Sequence, residues 1–234
     1  MVNTGTTVYK LSNVVDYLSK SWPPKMGIFP SLVKPLTETI QMGILGVTIG
    51  ALVAAPLSFL AAKDTSPNGL VYILSRGIIS VCRSIPELLW AILFVTVVGL
   101  GPVAGIFALA VHCVGSLGKY FNESIEVIYP RSKEILEAMA VDGASRIRII
   151  YSGLLPGLAP LFLSYFAYYA EWAVRAGTIL GLVGAGGLGL RLTMSIRMFR
   201  RQETAAIALV ILIMVIIVDA CSRFIRKRAL EKSL

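Results

Sequence analysis

Residues 130–156 read PRSKEILEAMAVDGASRIRIIYSGLLP. Ser132 is placed to cap a short helix, and Glu134 falls in its first turn, where an acid suits the positive end of the helix dipole. Ile135, Leu136, Met139, Ala140 and Gly143 share one face. Gly143 suits a break, and Ser145 can cap the next helix. The spacing predicts two short helices at an angle, outside the apolar phase, with an apolar face that this chain leaves uncovered. A helix presented that way fits a groove on a partner.

On both sides of this stretch the chain is strongly apolar. Apolar residues make up 56% of the 234, and charged residues only 15%. The mean hydropathy is +0.77. Soluble domains sit near roughly 45–50% apolar, so this chain lies outside that class. Its charges fall in patches, and the runs between them can cross a bilayer, which takes about 20 helical residues. Backbone groups in lipid need internal partners, so only helices or a closed barrel can span. Continuous runs are not the alternation of barrel strands. The expected fold class is all-α, a polytopic membrane protein with five transmembrane helices.

The spans are read at Leu36–Ala62, at Leu70–Cys82 continued through Leu88–Leu100, at Val103–Leu117, at Leu154–Trp172 and at Ala205–Ala220. Pro86 removes a backbone donor inside the second and should kink or restart it. Gly46-x-x-x-Gly50 in the first permits close helix approach, a pattern common in membrane helices. An interfacial segment is expected over 1–34, a membrane domain over 35–223 with its loop at 119–153, and a basic tail over 224–234. Val8–Leu18 has amphipathic spacing, and Tyr17 and Trp22 suit headgroup depth. No signal peptide is expected there. The basic tail Arg223–Lys232 argues for a cytoplasmic C-terminus. Counting back two spans puts Lys119–Arg148 on the same side and the N-terminus outside. Arg175, Arg191, Arg197, Arg200 and Arg201 then fall on the outer side, against the rule. They face a pore or an anionic partner, or form a solvated rim.

The net charge of +9 fits Lys and Arg flanking spans and meeting anionic membrane lipids, rather than nucleic acid. Cys82, Cys113 and Cys221 have no metal-ligand or redox spacing, and no metal site is expected. The phosphate-binding G-x-x-x-x-G-K-[ST] is absent, so any ATP-driven work must be done on another chain.

The stretch at 130–156 resembles the EAA loop of ATP-binding-cassette importer permeases: E-A-A, three residues, G, nine residues, I-x-L-P. The match lies at Glu137, Ala138, Gly143, Leu155 and Pro156. The chain departs from it at Met139, where the pattern has Ala, and at Gly153, where it has Ile. Arg83-Ser84-Ile85-Pro86-Glu87-Leu88, Val98–Pro102, Gly143–Arg146, Val174–Ala176 and Leu180–Gly189 are similar to the phosphonate permease branch. Many members of that branch carry a further N-terminal span, which is not expected in residues 1–34. The resemblance implies a permease dimer, expected to be a homodimer, in the bacterial inner membrane. It implies a coupling-helix loop carrying Glu137, Ala138, Met139, Gly143, Ala144, Leu155 and Pro156, docked on two ATPase subunits. ATP and magnesium would be held by those subunits and no cofactor by this chain, which is not expected to be an enzyme. An extracytoplasmic solute-binding protein would deliver a small anionic substrate, with phosphonate, phosphite, phosphate and its esters left open.

Gly184-Ala-Gly186-Gly187-Leu-Gly189 fits G-x-G-x-x-G, but a dinucleotide site needs a βαβ unit for which the chain has no room. A hinge or gate at the outer mouth is the better reading. Glu171 and Arg175 are spaced i,i+4 with the acid first. They form either a structural pair at a span end or, through Arg175, a guanidinium on the path of an anion. Arg83, Ser84, Pro86 and Glu87 mark the inner end of a span, as a gate or as snorkelling side chains. His112 has no carboxylate or cysteine companion at ligand spacing and reads as a core histidine rather than a ligand or proton relay. Trp90 and the tyrosines near Tyr169 read as packing or interfacial residues. The alternative to an ATP-driven permease is an ion-coupled secondary transporter or channel subunit.

Overall fold

The computed structural model describes residues 15, 16, 19–132, 136, 137, 139, 141, 143–145 and 148–231. Its main elements are α1 (Phe29–Ala61), α2 (Gly69–Ser84), α3 (Glu87–Val98), α4 (Pro102–Ile128), α5 (Leu155–Leu180), α6 (Gly187–Arg197) and α7 (Arg201–Glu231). Among the described residues, four stretches are long and apolar enough to cross a membrane: Met26–Ala61, Pro102–Ile128, Ile149–Val183 and Arg201–Ala229. The fifth expected span is the pair α2 and α3, which are bent by 88° at their junction. The amphipathic segment read at Val8–Leu18 lies largely outside the described residues.

The two central helices are α1 and α4, which run side by side in the same direction. A Cβ at Gly46 would meet Leu109 Cβ at 2.7 Å, and one at Gly50 would meet Cys113 Cβ at 2.5 Å. The small-residue pair thus lets two backbones touch, as small-xxx-small spacing allows without a hydrophobic drive between helices. Further along, the Lys63 N–H donates to the Glu126 carboxylate. α5 crosses both, with Val174 against Gly43 and Trp172 stacked on His112 at 4.8 Å. The core contains Met42, Val47, Leu109, Leu117, Phe121, Tyr169 and Leu180. α7 runs antiparallel to α5, fixed by the Ser222 hydroxyl donating to the Ala167 carbonyl at 3.0 Å. The C-terminal end of α7 therefore returns to the end of the bundle that carries the 130–156 loop.

Several boundaries differ from those expected, each because packing extends a helix into polar sequence. α4 continues past Leu117 to Ile128, since Asn122, Ser124 and Ile125 are buried against neighbouring helices. α5 passes Trp172 and ends at Leu180, so Glu171 and Arg175 sit within a helix rather than at its end. α7 remains helical to Glu231, which makes the first part of the basic tail a continuation of the span. At the opposite end, the N-terminal segment is pinned to the start of α7. Lys25 pairs with Glu203 at 3.0 Å, and Arg201 lies 3.5 Å from Asp16.

Candidate functional site

The loop between α4 and α5 keeps the expected order with two corrections. Leu136, Glu137, Met139 and Val141 are helical, Gly143 adopts φ +77°, and the Ala144 N–H closes the turn onto the Met139 carbonyl at 3.0 Å. Only glycine adopts that backbone without strain. Ser145 caps the next segment: its hydroxyl accepts from the Arg148 N–H at 3.4 Å. That segment is no separate helix. It widens into a π-helical turn over Ile149–Leu154 and runs straight into α5, with Pro156 the second residue after that widened turn. Ala138 and Glu134 lie outside the described residues, and nothing is described of the side chain of Ser132.

The second correction concerns the apolar face. Leu136 is buried in a cluster with Ala62, Ile125, Leu154 and Leu158, all of this chain. The face expected to await a partner is therefore partly satisfied internally, because a bare apolar helix face gains most from the nearest apolar surface. The face left outside carries Glu137, Gly143 and Arg148, with Val141 and Tyr151 exposed at 88% and 71%. The two departures from the loop pattern explain each other. A Cβ at Gly153 would meet Leu136 Cδ2 at 2.6 Å and Met139 Sδ at 3.3 Å. A large residue at 139 has taken the space that a large residue at 153 would need.

The second group of residues sits at the α2–α3 break. Ile85 precedes Pro86 and is extended (φ −87°, ψ 121°), as the proline ring requires of its predecessor. Pro86 then caps α3. Arg83 lies in the last turn of α2 and Glu87 in the first turn of α3, each matching its helix dipole. The break is held by the Trp90 indole N–H donating to the Cys82 carbonyl at 3.3 Å. Its depth differs from that expected. Arg83 packs directly on Gly115, midway along α4, so the break lies at mid-bundle rather than at the inner end of a span. Arg83, Ser84 and Pro86 are exposed there. Glu87 reaches within 4.0 Å of His112 Nδ1, whose Nε2 contacts the Ser116 hydroxyl at 3.2 Å. His112 therefore has a carboxylate neighbour, supplied by a different helix.

Glu171 is 5% exposed and binds Arg175 at 2.8 Å. A second arginine approaches it from α7: Arg226 lies 3.7 Å away and covers the Tyr168 ring. Sequence spacing reveals the first pair but not Arg226, which lies 55 residues further along the chain.

The glycine-rich segment is a clamped turn. Gly184, Gly186 and Gly187 have φ of +96°, +82° and +67°, and Gly189 packs against the Thr178 carbonyl. The Gly101 N–H donates to the Gly184 carbonyl at 3.0 Å, tying the segment to the α3–α4 turn. Two N-terminal donors of α6 are capped from α1: the Gly187 N–H by Glu38 at 3.2 Å and the Leu188 N–H by the Thr39 hydroxyl at 2.9 Å. Glu38 and Thr39 carry no local sequence signal, because the helix end they cap lies 149 residues away.

This combination of an all-helical bundle, a half-broken span at mid-depth and a capped helical loop at one end matches known proteins. Residues 46–231 fit the family described as binding-protein-dependent transport system inner membrane component. The chain belongs to that family. This permease subunit of an ATP-binding-cassette importer is a multi-pass inner-membrane protein. It is 37% identical over 227 residues to the phosphite transport system permease protein PtxC of Stutzerimonas stutzeri, covering 97% of this chain and 82% of that one. It is 33% identical over 221 residues to the phosphate-import permease protein PhnE of Mycolicibacterium smegmatis, covering 94% of this chain and 41% of the relative. The permease fold is shared with the inward-facing MetNI methionine ABC transporter: TM-score 0.73, 22% identity, 88% of this chain and 99% of that chain.

Proposed function

We propose that this permease forms the membrane path for a phosphonate or a related phosphorus oxyanion, moved by ATP hydrolysis on separate subunits. The observation that carries the energy-coupling part is the loop. Leu136 anchors it to the ends of α4 and α5, while Val141, at 88% exposure, and Glu137 on the same helix stand outside. A push on that helix is thereby transmitted into two spans rather than absorbed by a floppy loop. Glu137, Ala138, Met139, Gly143 and Ala144 form the docking segment, and Leu155 and Pro156 start the helix that receives the motion. The ATPase holds ATP and magnesium, and this chain holds no cofactor.

The substrate class rests on similarity to the phosphite and phosphate permeases and on the chemistry of the cations within the spans. Arg175 stays 46% exposed while held by Glu171, and a planar guanidinium suits a tetrahedral anion. Arg83, Ser84, Pro86 and Glu87 form the mid-depth constriction, since broken helices at mid-membrane are where transporters place their sites. Gly184, Gly186, Gly187 and Gly189 form the outer gate, released when α1 and the α3–α4 turn shift. A second copy of the permease completes the path, with a solute-binding protein at the outer face.

The test is uptake of phosphite, methylphosphonate and phosphate into proteoliposomes holding the permease, its ATPase and its binding protein. ATP-dependent uptake of at least one, lost in Gly143→Asp together with ATPase co-purification, is the expected result. Arg175→Gln is expected to stop uptake and leave the complex assembled. Uptake that follows a proton or sodium gradient without ATP would instead establish an ion-coupled carrier.

A further inference from the structure

The inner half of the permease contains a cavity of about 330 Å³ between α2 and α4, lined by Arg76, Ser80, Arg83, Lys119, Asn122, Glu123 and Glu126. Its charges can be counted. Arg76 is bidentate to Glu126 at 2.9 and 3.1 Å, and Lys119 pairs with Glu123 at 2.8 Å. Those four cancel. Arg83 is left over: among the described residues, no hydrogen bond or ion pair reaches its guanidinium. It lies midway along α4, where an unpaired charge is costly unless it faces water or a counter-ion. The partial negative charge at the end of α2 amounts to about half an electron and does not cancel a guanidinium.

A second observation is independent of the first. Asn122 is 4% exposed, yet its side-chain amide has no hydrogen-bond partner among the described residues, and it lines this cavity. The amide therefore opens onto the cavity with its donors and acceptor unused by protein groups, and a ligand or ordered water there would take them. Ser80, one turn before Arg83 on α2, adds a hydroxyl at the same wall. A surplus guanidinium, a buried amide and a hydroxyl are complementary to an oxyanion. The opposite face of α2 presents Leu70, Ile73, Leu74 and Val81 outward, so the polar face is turned away from the apolar one.

We propose that this cavity is an inner-half binding site for a phosphorus oxyanion, held by Arg83 with Asn122 and Ser80. It deepens the transport reading above and rests on it for the identity of the free ion. The same chemistry is offered by the phosphate of an anionic lipid, and the experiment separates the two sources. Permease assembled with its ATPase is placed in phosphatidylcholine nanodiscs and titrated with phosphite, followed by phosphorus NMR line broadening. A second set of discs carries phosphatidylglycerol, and retained lipid is measured by mass spectrometry after exchange into detergent. Saturable phosphite binding, weakened at least tenfold by Arg83→Gln, several-fold by Asn122→Leu and less by Arg83→Lys, supports a free-ion site. Arg83-dependent retention of phosphatidylglycerol, with no phosphite binding, supports the site with a lipid phosphate as its occupant. Thermal melting of each variant and of Gly77→Ala, a substitution in α2 with open space around it, controls for misfolding. The proposal is overturned if folded Arg83→Gln and Asn122→Leu bind both probes as wild type does, or if wild type binds neither. Uptake separates this site from the transport reading: ATP-driven uptake with no binding here overturns the site alone, and binding here without uptake of any phosphorus oxyanion overturns the transport reading alone.

Discussion

Replacing Gly153 with Ile tests whether the coupling loop is held by the Leu136–Met139 contact. Gly153→Ile adds four carbons at a place where the first already meets Leu136 Cδ2 at 2.6 Å and Met139 Sδ at 3.3 Å. Both neighbours are side-chain ends, so they can move, but Leu136 is 4% exposed and has little room to go. Overpacking of this kind costs about 1–3 kcal/mol. If that cost falls on the docked geometry of the loop, ATPase affinity drops roughly 5- to 150-fold. Met139→Ala removes three heavy atoms from the same space. The double variant therefore nearly conserves volume, and its affinity is expected within about 1 kcal/mol of wild type. The assay is a double-mutant cycle on binding of purified ATPase subunit to permease in nanodiscs, with thermal melting alongside. A favourable coupling of about 1–2 kcal/mol is expected, in the range for residues in contact. If the two costs simply add, leaving the double variant worse than either single one, Met139 and Gly153 do not share space and the loop is held in some other way.

Three further outcomes are expected. Gly50→Ala should lower the melting temperature and Gly77→Ala should not, because the new methyl meets Cys113 Cβ at 2.5 Å and the Ala110 carbonyl at 2.9 Å in the first case and open space in the second; overpacking costs about 1–3 kcal/mol. Thr39→Val keeps the shape but leaves the buried Leu188 N–H without its acceptor, a loss of about 1–3 kcal/mol, seen as faster amide exchange confined to the start of α6. Glu171→Gln should destabilise more than Arg175→Gln in a thermal melt. The first leaves Arg175 and Arg226 without their shared carboxylate, while the second leaves Arg226 at 3.7 Å to pair with it.

The amphipathic loop at 130–156, the apolar runs and the proline break were legible because each depends on residues within a few turns of one another. Helical periodicity, capping by Ser145 and the left-handed turn at Gly143 are local effects. Spacing therefore revealed the loop and, through Glu171 and Arg175, one intrahelical pair. It misjudged what the loop's apolar face touches, since Leu136 is covered by Ile125, Leu154 and Leu158 from helices that only the fold brings together. It also placed Arg83 at a membrane edge, because depth depends on how α2 lies against Gly115 and not on distance along the chain.

The sequence by itself determined that this chain is a helical membrane protein, roughly where its spans lie and which loop carries the amphipathic, glycine-broken pattern, since burial in lipid and helix capping act on contiguous residues. Tertiary structure alone decided the polar constellations: Glu38 and Thr39 on the end of α6, Arg226 on Glu171, Glu87 beside His112, and the unpaired Arg83 and Asn122 in one cavity. The physical reason is that charges and hydrogen bonds act over a few ångströms of space, and helix packing sets that distance between residues far apart in sequence.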